Sequence, residues 1–246
     1  MPHSVQTPVV KIYSVNPALL FNDNDFDSCI KHVPLPQRRK ILAAKFNPQR
    51  LERLAGYLLA CYALSENASL HEFPVYHRDK FGRPSISSLK GDFNITHTDG
   101  FAAVAIGTVR LGLDAEKIKQ LDGLLDLAKK NYTAEEYDFL CAASEEDLTP
   151  LFYTLWTAKE SLLKAVGSGF SISPDSFSLV DSSGLVDHLE FQMNSWRLYR
   201  LPDQYGCKIS LCTEGDMIHE FIALTPEELK SAIKKLREPK RPELNE

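Results

Sequence analysis

The sequence predicts a mixed α+β (α/β) fold with antiparallel hairpins, on three observations. Apolar residues recur at helical spacing between residues 51 and 62. Residues 93–106 read as two strands around an Asp99-Gly100 turn. Segments of both kinds occur in both halves of the 246-residue chain.

In chain order, Lys11-Ile-Tyr-Ser-Val15 reads as the first strand. A polar loop carrying Asp23, Asp25 and Asp27 follows, then a basic helical stretch over 36–42. Leu51, Leu54, Ala55, Leu58, Leu59 and Tyr62 share one helical face. They predict an amphipathic helix over 47–63, with Asn47 as N-cap and Pro48 at the first helical position. Lys80-Phe-Gly82-Arg83-Pro84 has turn chemistry. Strands are expected over 93–98, 101–106 and 111–116, with a break at Gly107-Thr-Val. Helices are expected over 121–131, 134–143 and 150–166, the last closed by Gly167-Ser168-Gly169 as C-cap and turn. Strands return over 176–180, 189–193, 196–201, 207–213 and 221–224. Thr225-Pro-Glu-Glu opens a charged helix, and beyond Glu238 the chain has the polar, Pro-rich composition of a frayed tail.

A net charge of −5 argues against a nucleic-acid binder that works through a global basic surface. It leaves room for a local basic pocket. Cys29, Cys61, Cys141, Cys207 and Cys212 are scattered without C-x-x-C spacing, which fits neither a disulfide framework nor a zinc site. Cys61 and Cys141 lie in apolar helical surroundings and read as buried free thiols. No apolar run reaches the ~20 residues of a bilayer span, and residues 1–6 lack the features of an export signal. The expected setting is a reducing cytoplasm, with no membrane partner.

Several segments carry the residue types of a polyanion site, and each has a plainer reading. Asp114 and Glu116 stand at i and i+2 of a strand and share a face. They are either solvated acids at a strand end or ligands that need a cation between them. His97, between Thr96 and Thr98, is either a turn histidine or a donor to an anion. Arg38, Arg39, Arg50, Arg53 and Arg83 are either a solvated surface or forks for phosphate. In Trp156-Thr-Ala-Lys159-Glu160-Ser-Leu-Leu-Lys164, charges sit beside an apolar stripe, as on a surface helix or along a cleft. No Walker loop, strand–G-x-G-x-x-G–helix unit, His-Glu-x-x-His or nucleophile elbow is present.

Taken together and in order, these blocks are far more specific than any one of them. Gly82-Arg83-Pro84, Phe93-Asn-Ile-Thr96-His97-Thr98, Leu111-Gly-Leu-Asp114-Ala-Glu116 and the Trp156 to Lys164 stretch follow one another from N to C. The chain thereby closely resembles the 4′-phosphopantetheinyl transferases, specifically the long Sfp-type branch. The pattern of that branch is FN-[IV]-[ST]-H-[ST], [IV]-G-[IL]-D-x-E and W-[ST]-x-K-E-[AS]-x-x-K. The resemblance spans roughly residues 11–225.

The resemblance implies a holo-[acyl-carrier-protein] synthase that moves the phosphopantetheine arm of coenzyme A to a carrier-protein serine and releases 3′,5′-ADP. Asp114, Glu116 and Glu160 would gather Mg²⁺, with Mn²⁺ an alternative. Glu160 would also act as general base, and Lys164 would neutralise the α-phosphate. Thr96 and His97 match contacts to the pyrophosphate and 3′-phosphate, and Arg83 a contact to the nucleotide. Arg38 and Arg53 match the cations on the 3′-phosphate, with Arg50 competing for the second place. Lys159 is open between a phosphate contact from the flank and a structural ion pair. The implied architecture is a monomer of two similar α/β halves in pseudo-twofold arrangement. Residues 1–108 would contact the nucleotide, and 109–246 would hold the metal site, catalytic helix and charged C-terminal helix and tail. The expected partners are acyl or peptidyl carrier proteins of fatty-acid, polyketide or nonribosomal-peptide synthesis. The rival reading is a non-catalytic relative that binds coenzyme A or docks a partner.

Overall fold

Residues 8–21, 25–167 and 169–236 are described by a computed structural model of the chain. Asp23, Ser168, residues 1–6 and the tail after Glu238 lie outside the described residues. The first elements are β1 (Val9–Val15), α1 (Pro17–Leu20), α2 (Asp25–Ile30), α3 (Leu35–Leu42), α4 (Asn47–Ala68), β2 (His77–Arg78), β3 (Pro84–Ser85), β4 (Asp92–Thr98) and β5 (Phe101–Gly107). Then come β6 (Leu111–Lys117), α5 (Leu124–Asn131), α6 (Ala134–Cys141), α7 (Glu145–Val166), β7 (Val180–Asp181) and β8 (Gly184–Leu185). The chain continues through β9 (His188–Phe191), β10 (Asn194–Gln204), β11 (Cys207–Glu214), β12 (Ile218–Ala223) and α8 (Pro226–Ile233).

Two four-stranded sheets carry this mixed α/β fold, in the orders β12-β1-β5-β4 and β6-β11-β10-β9. The long helix α4 covers the first sheet and α7 the second, while the remaining faces pack on each other. Side-chain alternation explains the arrangement. On β5, Ala102, Val104 and Ile106 point into the core under α4, and Phe101, Ala103 and Ala105 into the core between the sheets. A strand buried on both faces reads as an unbroken apolar run, as here. On β6, Leu111, Leu113 and Ala115 enter the inter-sheet core, so Gly112, Asp114 and Glu116 face the other way.

The sheets also meet edge to edge. Leu111, Leu113, Ala115 and Lys117 of β6 donate their N–H groups to the side chains of Asp92, Asn94, Thr96 and Thr98 on β4, at 3.0 to 3.3 Å. These bonds satisfy backbone donors that a strand edge otherwise leaves to solvent.

Most elements match the sequence reading, and the departures have physical causes. The acidic stretch at Asp25 and Asp27 is a helix, not a loop, because both acids sit in its first turn beside the unpaired N–H groups. Helix α4 is flanked by Phe46 without a side-chain cap and runs to Ala68. Helix α7 starts at Glu145, before Pro150, because Ser144 accepts from Asp147 N and three acids follow it. The strand expected over 176–180 is reduced to Val180–Asp181, since Pro174–Ser176 forms a single 3₁₀ turn. Strand β12 pairs parallel to β1, and Leu229 and Ile233 of α8 enter the first core. Residues 218–236 therefore return to the first sheet, across the 108/109 division. All five cysteines are free; Cys61 is buried, but Cys141, at the end of α6 beyond the buried Leu140, is exposed.

Candidate active site

Helix α7 lies so close to β6 that position 112 admits no side chain. A Cβ on Gly112 would fall 2.1 Å from the Ser161 carbonyl oxygen and 2.4 Å from Ala165 N. This approach brings Lys164 to Asp114: Nζ donates to Oδ1 at 2.6 Å and to the Leu113 carbonyl at 3.0 Å. Asp114 is 4% exposed, and its Oδ2 has no hydrogen-bond partner. Burial, and then the Asp114 charge, raise the Glu160 carboxyl above its ordinary range, against the pull of Lys164. Burial and Asp114 likewise push Glu116 up to about 7, with Lys164 opposing and Glu160 adding.

Among the described residues, no group of three or more His, Cys, Asp and Glu side chains is gathered to hold a metal ion. The donor chemistry at the β6–α7 junction nevertheless fits a hard divalent cation. Asp114 presents a buried oxygen that lacks a donor, and Glu116 and Glu160 both feel its charge.

Glu160 and Lys164 line a cavity of about 370 Å³ with Asn94, Trp156, Ile172 and Pro174. A second cavity of about 400 Å³ is lined by Lys40, Arg53, Tyr57, Tyr76 and His97. Arg78 and Ile95 line both, so the two adjoin as one trough. One end is basic and the other holds Glu160 with Lys164.

The sequence-predicted residues sort unevenly into this trough. Arg53 and His97 line the basic end, where His97 Nδ1 stands 3.7 Å from Glu52 Oε2. Arg38 does not join them; its guanidinium donates to the carbonyls of Val33 and Lys31. Arg50 donates to the Ala44 carbonyl at 2.9 Å. Thr96 is buried, and its hydroxyl accepts from Ala115 N, so its first role is to brace β4 against β6. Arg83 lines the Glu160 end, but its guanidinium pairs with Asp92 and donates to the carbonyls of Lys164 and Leu111. It ties the first sheet to the end of α7. Of its two readings Lys159 takes the structural ion pair and not the phosphate contact: at 1% exposure, bonded to Glu136 at 2.8 Å, it cannot reach a ligand in the trough.

Two cations were missed. Lys40 stands one helical turn after the buried Gln37 and shares its α3 face, whereas Arg38 directly follows Gln37 and points away, so a periodicity anchored on Gln37 would have selected Lys40 over Arg38. Arg78 lies on β2 opposite Pro84, so the Gly-Arg-Pro turn had a second cation on its facing strand.

Comparison with known proteins agrees with this geometry. The profile of the 4′-phosphopantetheinyl transferase superfamily matches residues 110–210, which span β6, α7 and most of the second sheet. The chain is 31% identical over 147 residues to the 4′-phosphopantetheinyl transferase Sfp of Bacillus subtilis strain 168, covering 58% of this chain and 65% of that protein. It is 30% identical over 172 residues to a second Bacillus subtilis 4′-phosphopantetheinyl transferase, covering 69% and 76%. A third match, to the 4′-phosphopantetheinyl transferase gsp of Aneurinibacillus migulanus, is 31% identical over 103 residues and covers 42% of each chain. The chain thus spans just under two thirds of the first relative and about three quarters of the second. With a superfamily profile matched and 30% identity to a relative of which it covers 76%, this chain belongs to the 4′-phosphopantetheinyl transferase superfamily.

Proposed function

We propose that the chain transfers the 4′-phosphopantetheine arm of coenzyme A to a serine hydroxyl of an acyl or peptidyl carrier protein, releasing 3′,5′-ADP. The observation that carries this reading is the trough itself. A basic end with Lys40, Arg53 and His97 suits the 3′-phosphate and nucleotide, and Glu160 and Lys164 stand at the other end.

In the reaction the serine oxygen bonds to the pantetheine-bearing phosphorus, and the bond from that phosphorus to the bridging oxygen breaks. Glu160 takes the hydroxyl proton; its raised pKa makes it a stronger base than an exposed carboxylate. Lys164 is held by Asp114 and Leu113 so that its ammonium faces the negative charge that develops on the departing 5′-phosphate of 3′,5′-ADP. Asp114, Glu116 and Glu160 would hold Mg²⁺, or Mn²⁺ in its place. When bound, such an ion neutralises charge on the pyrophosphate. Positioning and charge neutralisation supply most of the rate in such a transfer.

The four groups Asp114, Glu116, Glu160 and Lys164 are all present, which counts against a non-catalytic coenzyme A-binding or docking relative. In the same reading the chain acts as a cytoplasmic monomer on fatty-acid, polyketide or nonribosomal-peptide carriers. Among the described residues no helix is long and apolar enough to cross a membrane. Incubating apo carrier proteins of each type with the chain, coenzyme A and Mg²⁺, and weighing them by mass spectrometry, tests the proposal. A gain of the phosphopantetheine mass on at least one carrier is expected; unmodified carriers throughout would leave the non-catalytic reading.

A further inference from the structure

Lys159 precedes Glu160 in α7, yet it points away from the trough into the protein. Its Nζ ends on three acceptors: Glu136 Oε1 at 2.8 Å, the Pro174 carbonyl at 2.7 Å and the Phe177 carbonyl at 2.5 Å. The Phe177 ring lies 4.2 Å from the same nitrogen. Glu136 is fully buried and equally committed. Its Oε1 also accepts from Leu179 N at 2.7 Å, and its Oε2 accepts from Thr133 N at 3.0 Å to close the cap of α6. One buried ion pair therefore ties together the start of α6, the middle of α7 and the chain from Pro174 to Leu179.

Apolar packing also holds that chain, through Phe177 and Leu179 in the second core, but the ion pair is what holds its backbone carbonyls. Between α7 and β7 it forms two single 3₁₀ turns and belongs to neither large sheet. It nevertheless builds a wall of the trough, because Ile172 and Pro174 line the same cavity as Glu160 and Lys164. At the near end Gly169 abuts Phe81, since a Cβ there would fall 2.7 Å from the Phe81 Cβ. At the far end the anchor is Lys159. A buried ion pair adds little net stability over a packed apolar pair, because two charges leave water to form it. What a pair with every bond made does supply is a fixed place for the groups it holds. Here those groups are two backbone carbonyls and one backbone N–H of the wall.

We propose that Lys159, with Glu136, is a positioning residue that holds the 172–179 wall at the width the reacting groups need opposite Glu160 and Lys164. The nature of those reacting groups rests on the transferase reading; the hold on the wall does not. The wall borders the Glu160 end of the trough and contributes nothing to the end lined by Lys40, Arg53 and His97. Loosening it should therefore slow transfer while leaving the grip on the nucleotide intact.

The test replaces both partners, Lys159→Met with Glu136→Gln, so that no unpaired charge is left buried. Three readouts on the full chain separate positioning from general damage: hydrogen exchange by segment, calorimetric affinity for 3′,5′-ADP, and kcat for loading an apo carrier protein. Exchange over 172–179 should rise by about tenfold or more while β6 and β11 keep wild-type protection. Affinity for 3′,5′-ADP should be unchanged, and kcat should fall by about 10- to 100-fold. If the double variant does not fold, Glu136→Gln alone keeps an acceptor for Lys159 and should give the same order of effects in smaller measure. Wild-type exchange over 172–179, or equal losses in kcat and 3′,5′-ADP affinity, would overturn the proposal. A wild-type chain that loads no carrier would overturn the transferase reading instead, and the exchange result would still decide whether the pair holds the wall.

Discussion

The hydroxyl of Thr96 accepts a hydrogen bond from the backbone N–H of Ala115 at 3.1 Å, and so joins the edge of one sheet to the edge of the other. Asp92, Asn94 and Thr98 repeat the contact along the two strands. Because β4 alternates, the residues between these rungs face α4 instead, and His97 is one of them, set in the basic end of the trough. Because β6 alternates too, Asp114 and Glu116 face α7. One register therefore fixes the distance between the two ends of the site.

Thr96→Val removes one rung and leaves the Ala115 N–H buried without an acceptor. It is expected to lower stability by about 1–3 kcal/mol, the cost of an unsatisfied buried donor. Thr96→Ser keeps the hydroxyl and should lose much less. Urea unfolding of both variants checks this; equal midpoints would show that the rung is not structural.

Gly112→Ala should drive α7 away from β6, since its Cβ would collide with backbone atoms of Ser161 and Ala165. Crowding of this kind costs about 1–3 kcal/mol. It should also separate Lys164 from Asp114 and depress kcat more than affinity for 3′,5′-ADP. Thermal unfolding and steady-state kinetics on the same preparation read the two effects.

The basic end distinguishes Arg53 from Arg38. Arg53→Ala should weaken coenzyme A binding by about tenfold, the size of one charge-assisted hydrogen bond. Arg38→Ala removes only bonds to the Val33 and Lys31 carbonyls, so it should alter stability and not affinity. Calorimetric titration with coenzyme A separates the two.

Much of this was legible beforehand. The strands at 93–98, 101–106 and 111–116 and the face of α4 follow from periodicity, and the order of the motif blocks named the chemistry. What sequence could not supply was the direction of individual charges. Arg83 and Lys159 sit inside motifs that read as ligand contacts, yet both spend their donors on carbonyls and carboxylates of the protein. Their partners lie in other elements, Asp92 9 residues downstream of Arg83 and Glu136 23 residues upstream of Lys159, where spacing along one helix or strand carries no signal. Lys40 and Arg78 were hidden for the opposite reason: each stands beside a more conspicuous arginine.

Glu116 makes stability depend on pH. Its carboxyl titrates near 7 when folded, against an ordinary 4.5, so between those values the folded chain holds a proton that the unfolded chain has released. The contribution is complete below about 4.5 and is lost as pH rises through about 7. Without divalent ions, the wild-type melting temperature should therefore fall more steeply from about pH 5 to pH 8 than that of Glu116→Gln. Mg²⁺ added at the higher pH should raise the wild-type value and affect the variant less; parallel curves with and without Mg²⁺ would remove Glu116 from the metal set.

The central claim is that Glu160, seated beside Asp114 and Lys164, does the proton chemistry of arm transfer. Loading of an apo carrier protein by Glu160→Gln, followed by intact-mass spectrometry with coenzyme A and Mg²⁺ in excess, tests it most directly. Transfer should slow by about 10²- to 10⁴-fold, the usual worth of a general base, while 3′,5′-ADP still binds and the chain unfolds as wild type does. Loading at the wild-type rate would contradict the claim.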